Sequence, residues 1–182
     1  DEASKIAFRS YDNLGRNKEI YGRLFGGLPA GGKYFMYAGV QYNYVMYDGT
    51  YQSLPLHYNK GSWTFFTGHE LKISSTFRFN LNGWMYANGF RFFNELKNMG
   101  QLNCSFTKTL LDRKLSIIVS GNDIFKTNIS AFHLQQGTVL VDGRRVQDSR
   151  RFGITLRFNF GIAPRDDKKQ PLVPPIIPND PN

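Results

Sequence analysis

Arg151-Phe152-Gly153-Ile154-Thr155-Leu156-Arg157-Phe158-Asn159-Phe160 alternates without a fault. Its even positions are all apolar and its odd positions are Arg, Gly, Thr, Arg and Asn. A period of two is the mark of a strand with one greasy and one polar face. The stretch is also longer than the five or six residues of an ordinary globular strand, and matches the roughly 9–11 that cross a bilayer at a tilt.

Working back from this stretch, seven more segments alternate less cleanly. In 114–125, Leu115, Ile117 and Val119 oppose Ser116, Ser120 and Asn122, with Ile118 out of phase. In 99–110, Leu102, Cys104, Phe106 and Leu110 oppose Gln101, Asn103, Ser105 and Thr107. In 77–87, Phe77, Phe79, Leu81 and Met85 oppose Arg78, Asn80 and Asn82. The pattern continues through 62–74, 34–47, 19–28 and 4–11. His69 falls on the apolar face of its segment, against the pattern. The eight candidates cover about half the chain, about twice the strand share of a globular protein. That excess points to a barrel or a sandwich.

Connections separate the two. Leu111-Asp112-Arg113 and Ser75-Thr76 are short, and 28–33 is a Gly-rich turn. Segments 48–61 and 126–149 are expected to be long loops, and 88–98 a medium one. Short turns at one rim and longer loops at the other are the habit of outer-membrane barrels; Asp12–Asn17 is the one short connection expected on the long side. From Ile162 onward the chain holds six of its eight prolines, which cannot donate to a sheet ladder. The domain plan is therefore strands over 1–161 and an extended or disordered Pro-rich tail over 162–182.

Composition agrees. The 182 residues include 16 Phe, 10 Tyr and 2 Trp, a strand-favouring load, with 18 Gly to make turns. No run approaches the roughly 18 apolar residues of a membrane helix. The mean hydropathy of −0.41 looks that of a soluble chain, but a barrel hides its apolar band in every second residue. The single Cys104 excludes an internal disulfide and a Cys-cluster zinc site, and reads as an apolar filler. The chain opens on Asp1-Glu2-Ala3-Ser4 with no signal-like segment, so a signal peptide is expected to be absent or removed.

A soluble sandwich and a membrane barrel share this alternation; they differ in which face meets the surroundings. Strand length, aromatics recurring near strand ends (Tyr34, Tyr47, Trp63, Tyr86, Phe160) and charges on the polar faces favour the barrel. Arg9, Arg23, Glu70, Lys72, Arg78 and Arg157 are the expected lumen-lining residues.

The stretch 97–161 resembles the C-terminal end of TonB-dependent outer-membrane receptors of the Bacteroidetes outer-membrane β-barrel family. The resemblance rests on Phe106-Thr107-Lys108-Thr109-Leu110-Leu111, on Asn122-Asp123-Ile124-Phe125-Lys126-Thr127-Asn128, and on Asp148-Ser149-Arg150-Arg151-Phe152-Gly153-Ile154 with Phe158-Asn159-Phe160-Gly161. Residues 1–96 resemble the preceding strands only in pattern. It implies an up-and-down transmembrane barrel, nutrient uptake driven by the TonB complex, and partners that include outer-membrane lipid, a substrate-capturing lipoprotein and the barrel-assembly machinery. The last strand, with Arg151, Gly153, Leu156, Phe158 and Phe160, is similar to an assembly signal. Family chains end at the final aromatic strand, whereas this one runs on into the Pro-rich tail, expected in the periplasm. A plugged transporter barrel has about 22 strands, while this chain supplies about eight. It is therefore expected to be the C-terminal part of a receptor, or else a stand-alone eight-stranded barrel with a structural or adhesive role; a soluble β-sandwich binding module is the third reading.

Chemistry-bearing motifs are sparse. His57, His69 and His133 have no metal-ligand spacing, Gly-x-Ser-x-Gly is absent, and the Gly26–Gly32 turn precedes a strand rather than a helix. No catalytic residue, metal or cofactor is expected, and the chain is not read as an enzyme. Arg144, Arg145 and Arg150 could hold a phosphate at the outer rim, because guanidinium groups pair bidentately with it; the alternative is a solvated loop. The charge of +9 suits nucleic acid, but the aromatics lie on the apolar strand faces, and no nucleic-acid partner is expected.

Overall fold

The computed structural model describes residues 15–51, 54–91, 94–136 and 139–160. Strand candidate 4–11, with Arg9, and the tail lie outside the described residues. Eleven strands are present among the described residues: β1 (Gly15–Ala30), β2 (Tyr34–Tyr51), β3 (Leu54–Ser74), β4 (Phe77–Ala87), β5 (Gly89–Arg91), β6 (Asn94–Leu96), β7 (Met99–Leu110), β8 (Leu115–Asn122), β9 (Ile129–Gln136), β10 (Val139–Val146) and β11 (Arg151–Phe158). Every pairing is antiparallel. Seven strands form one sheet in the order β1-β2-β3-β4-β7-β8-β11, a meander interrupted only where β5–β6 and β9–β10 leave it. These two hairpins join through β6 and β9 into a second sheet, β10-β9-β6-β5.

The short turns collect at one rim. Gly31 and Gly32 close β1 onto β2 with φ of 60° and 66°, a region open to glycine at no steric cost. Ser75-Thr76 joins β3 to β4, and the β7–β8 turn runs through Leu111, Asp112 and Arg113, all at positive φ. The opposite rim carries the second sheet and the far ends of β2 and β3.

Register makes one face of the large sheet continuous. Reading across one row, Leu81 pairs with His69 and Cys104, and His69 pairs with Met36, which pairs with Leu28. A second row joins Leu24, Val40, Phe65, Met85 and Gly100. At the other edge Phe106 meets Phe79 and Val119, and Val119 meets Ile154. These apolar groups face outward, since on the central strands they are exposed while their neighbours on the other face are half-buried: Phe65 is 40% exposed, Phe106 41% and Val119 47%. Among the described residues Ala87 is the only buried hydrophobic one. The stabilising apolar area is thus on the outside, where a bilayer rather than a packed interior would cover it. This overturns the soluble sandwich, which needs the same side chains interdigitated between two sheets.

Strands 77–87 and 99–110 have the bounds that their alternation predicts. Elsewhere the expectation needs correction. Segment 48–61 is not a loop, because β2 and β3 continue through it as a paired hairpin to Tyr51 and Leu54. At about 3.3 Å per residue, their 18 and 21 residues exceed the need of a bilayer crossing, so the hairpin stands above the band. Segments 126–149 and 88–98 are hairpins rather than open loops. Candidate 114–125 ends at Asn122, where the chain turns, and the last strand ends at Phe158.

His69 keeps its place on the apolar face through a relay. The Thr67 hydroxyl donates to the Tyr37 carbonyl at 3.1 Å. It can then accept from His69 Nε2–H at 3.0 Å, leaving Nδ1 to accept from the Tyr34 hydroxyl at 2.6 Å. Both ring nitrogens are satisfied, which removes the main cost of an imidazole among apolar groups.

Candidate functional site: the polar face and its outer rim

The reverse face of the large sheet follows from the same register. Arg23, Glu70, Lys72, Arg78 and Arg157 all lie on it, because each is an odd number of residues from an apolar-face neighbour in its strand. Arg23 sits over the Phe66 ring, 5.6 Å from its centroid. Lys72 pairs directly with Arg78, and Glu70 lies two residues along on the same face. Like charges placed opposite each other repel, and a carboxylate on the same face offsets part of that cost.

Amides organise this face, a feature that the sequence reading missed. Gln101 Nε2 donates to Asn103 Oδ1 at 2.8 Å, and Asn103 Nδ2 donates to Asn82 Oδ1 at 3.0 Å. A second ladder runs from Gln41 Nε2 to Asn43 Oδ1 at 2.8 Å and from Asn43 Nδ2 to Glu19 Oε1 at 3.1 Å. The available signal was Asn and Gln at alternate positions (41 and 43, 80 and 82, 101 and 103), since Asn is otherwise disfavoured within strands. Beside the ladders, the Tyr37 ring covers Gly68 and the Phe66 ring covers Gly39, each directly across the β2–β3 pair.

At the outer end of β8 the segment 122–128 makes a knot around Asp123, which is fully buried. Its carboxylate accepts from Ser149 Oγ at 2.5 Å, Thr127 N at 2.9 Å, Asn128 N at 3.2 Å and Thr127 Oγ1 at 3.4 Å. Burial, the largest single influence, pushes the carboxyl up; the hydrogen bonds together outweigh it and hold the group below its ordinary range. The knot is tied to the amide ladder through Asp123 N to Asn103 Oδ1 at 3.0 Å and Asn128 Nδ2 to Gln101 Oε1 at 3.0 Å. Ile124 N also donates to the Leu102 carbonyl at 3.0 Å. The turn therefore continues the edge of β7 that β8 leaves open.

The second sheet is fastened to the hairpin above the band. Lys60 Nζ meets Glu95 Oε1 at 2.8 Å, and the Tyr58 and Phe90 rings stack at 3.6 Å between centroids. Burial, and after it the Glu95 carboxylate, push the Tyr58 phenol well up. Where the two sheets meet, a cleft of about 980 Å³ opens beside Trp84, Gln101, Thr127, Ala131 and Arg144.

The other singled-out residues are dispersed. Arg144 and Arg145 occupy consecutive positions on β10, so their side chains leave opposite faces, and only Arg144 lines the cleft. Arg150 is exposed in the connection before β11. Arg151, Gly153, Leu156 and Phe158 lie on β11, an edge strand, and Phe160 just beyond it is 90% exposed. His57 and His133 each pair with a cross-strand aspartate, Asp48 at 2.6 Å and Asp142 at 2.9 Å. Cys104 faces outward between Leu81 and Gly121.

The chain matches the model of the outer membrane protein beta-barrel family over residues 1–160. No curated protein and no solved structure matches it. A family match over most of the length, an outward apolar face backed by a polar one, and loops sorted between two rims lead to one conclusion: this chain belongs to the outer membrane protein beta-barrel family and lies in the outer membrane.

Proposed function

We propose that the chain forms the C-terminal wall of a TonB-dependent receptor that takes up a nutrient across the outer membrane. The motif resemblance over 97–161 carries this reading, and the pair of open edges is in keeping with it. Neither β1 nor β11 has a partner on its outer side among the described residues. Both run from the long-loop rim to the short-turn rim, since an even number of reversals separates them. They therefore cannot pair antiparallel with each other, and closure needs an odd number of further strands. Unpaired backbone is not tolerated in hydrocarbon, and the 15 additional strands of a barrel of about 22 satisfy the parity. One further strand would satisfy it equally, so the edges alone do not choose between the two sizes.

In this reading Arg23, Glu70, Lys72, Arg78 and Arg157 line the lumen with the amide ladders, as Arg9 would. The cleft and the second sheet face the outside, where substrate and a capturing lipoprotein would arrive. The assembly machinery would take hold of the Arg151–Phe160 strand, the TonB complex would supply the driving force, and the Pro-rich tail would lie in the periplasm. No step of covalent chemistry is proposed.

The test is the size of the folded species in the outer membrane. An antibody against the β9–β10 hairpin should detect a heat-modifiable band at least about three times the 20.9 kDa of this chain, and that band should cross-link to the periplasmic domain of TonB. A heat-modifiable band near 20.9 kDa would instead establish the stand-alone barrel, which a single strand added to the seven would close.

A further inference from the structure

We propose that the short-turn rim between β4, β7 and β8 holds the headgroup phosphate of an anionic phospholipid, gripped by Lys108, Thr76 and Arg113. This depends only on the barrel fold and not on transport. Across the outward positions of Ile20–Leu28, Tyr34–Tyr44, Trp63–Ile73, Phe77–Ala87, Gly100–Leu110, Leu115–Gly121 and Phe152–Phe158, Lys108 is the only Lys, Arg, Asp or Glu. A lone ammonium on a lipid-facing surface is costly unless it reaches the interface. Lys108 lies two residues from the end of β7, and its Nζ donates to Thr76 Oγ1 in the β3–β4 turn at 3.0 Å. The side chain thus runs to the rim over Phe77, with Nζ 5.9 Å from the ring centroid.

There it borders a hollow of about 480 Å³. Thr76, Arg113 and Asp112 line the same hollow, together with Leu110 and Leu111. Two cations against one carboxylate leave the hollow net positive, and Thr76 adds a hydroxyl donor. Toward the membrane centre, the Phe77 and Phe106 rings stack at 6.0 Å and offer an aromatic surface for acyl chains. Charge and hydroxyl at the rim with aromatic rings below match the polarity of one phospholipid molecule, phosphate at the interface and tails beneath. In outer-membrane barrels the short turns face the periplasm, so the lipid would come from the periplasmic leaflet.

The test uses the purified protein in neutral detergent, with lipid retention read by native mass spectrometry. Phosphatidylglycerol is expected to be retained in preference to phosphatidylcholine, and Lys108→Gln to weaken that retention about five-fold. Lys108→Arg should preserve it, and excess inorganic phosphate should not displace the lipid. Equal retention of both lipids, or no loss in Lys108→Gln, would overturn the proposal; displacement by inorganic phosphate would overturn the lipid and reassign the hollow to a free anion. Should Lys108→Gln not fold, Arg113→Gln in the exposed turn carries the same expectation and the same refutation.

Discussion

Asp123 joins three separate parts of the chain: its carboxylate holds its own turn and Ser149 ahead of β11, and its backbone N–H holds the amide ladder of β7. Removing the carboxylate leaves several buried donors unpaired. Asp123→Ala is expected to destabilise the folded barrel by about 2–3 kcal/mol, measured by urea unfolding in lipid vesicles. Because the folded chain holds this carboxyl below its ordinary value of 3.8, its contribution is complete above that value. It fades as pH falls through the lower folded value. Asp123→Asn should therefore lose stability near neutrality but be less acid-sensitive, so that the two unfolding curves run parallel above the ordinary value of 3.8 and approach each other as the pH falls below it. Curves that stay parallel on acidification below that value would count against the carboxylate as the source. Gly68 is the second decisive residue. A Cβ there would collide with the Tyr37 ring across the pair, so Gly68→Val should cost about 1–3 kcal/mol and slow the appearance of the heat-modifiable form.

Among the elements, the β7–β8 turn stands out for backbone strain. Leu111, Asp112 and Arg113 take φ of 53°, 49° and 69°, a left-handed run without a glycine, each residue costing about 1–2 kcal/mol. Leu111 is 62% exposed and contributes little packing. Leu111→Gly is expected to stabilise the turn by about 1 kcal/mol, visible as a higher urea midpoint; a lower midpoint would mean that the leucine anchors the turn in the interface. The turn persists because its flanks are fixed: Lys114 N bonds to the Leu111 carbonyl at 2.9 Å and Thr109 N to that of Thr76 at 2.8 Å.

For the whole molecule, the governing fact is that the apolar face points outward. Val119 and Ser120 are neighbours on β8 that leave opposite faces. Val119→Arg should cost about 2–4 kcal/mol, the price of a guanidinium against lipid near the midplane, whereas Ser120→Arg should cost much less. Comparable losses at the two sites in vesicle unfolding experiments would contradict the assignment of faces.

Much of this was readable from residues in order. The alternation at 77–87 and 99–110 marked those strands to the residue, because each lies within the band where one face must be apolar and the other polar. The bilayer enforces that rule on every spanning strand, so a local period of two suffices. It fails above the band. There β9 and β10 place His133, Asp142, Arg144 and Arg145 among Val and Leu, since both faces of the second sheet can be wet and no period is imposed. Likewise Tyr51 and Leu54 prolong β2 and β3 because the two strands pair with each other, not because of any pattern in 48–61. The polar site divides the same way: Arg23, Arg78 and Arg157 could be placed on one face by counting, but the ladder from Asn82 through Asn103 to Asp123 joins residues 21 and 20 positions apart. What the order of residues determined by itself was the strand class, the two faces and the sorting of turns, all set by neighbours two positions apart. Tertiary structure alone decided the joining of two loops into a second sheet, the burial of Asp123 and the meeting of Lys108 with Thr76, because those depend on which strands lie side by side.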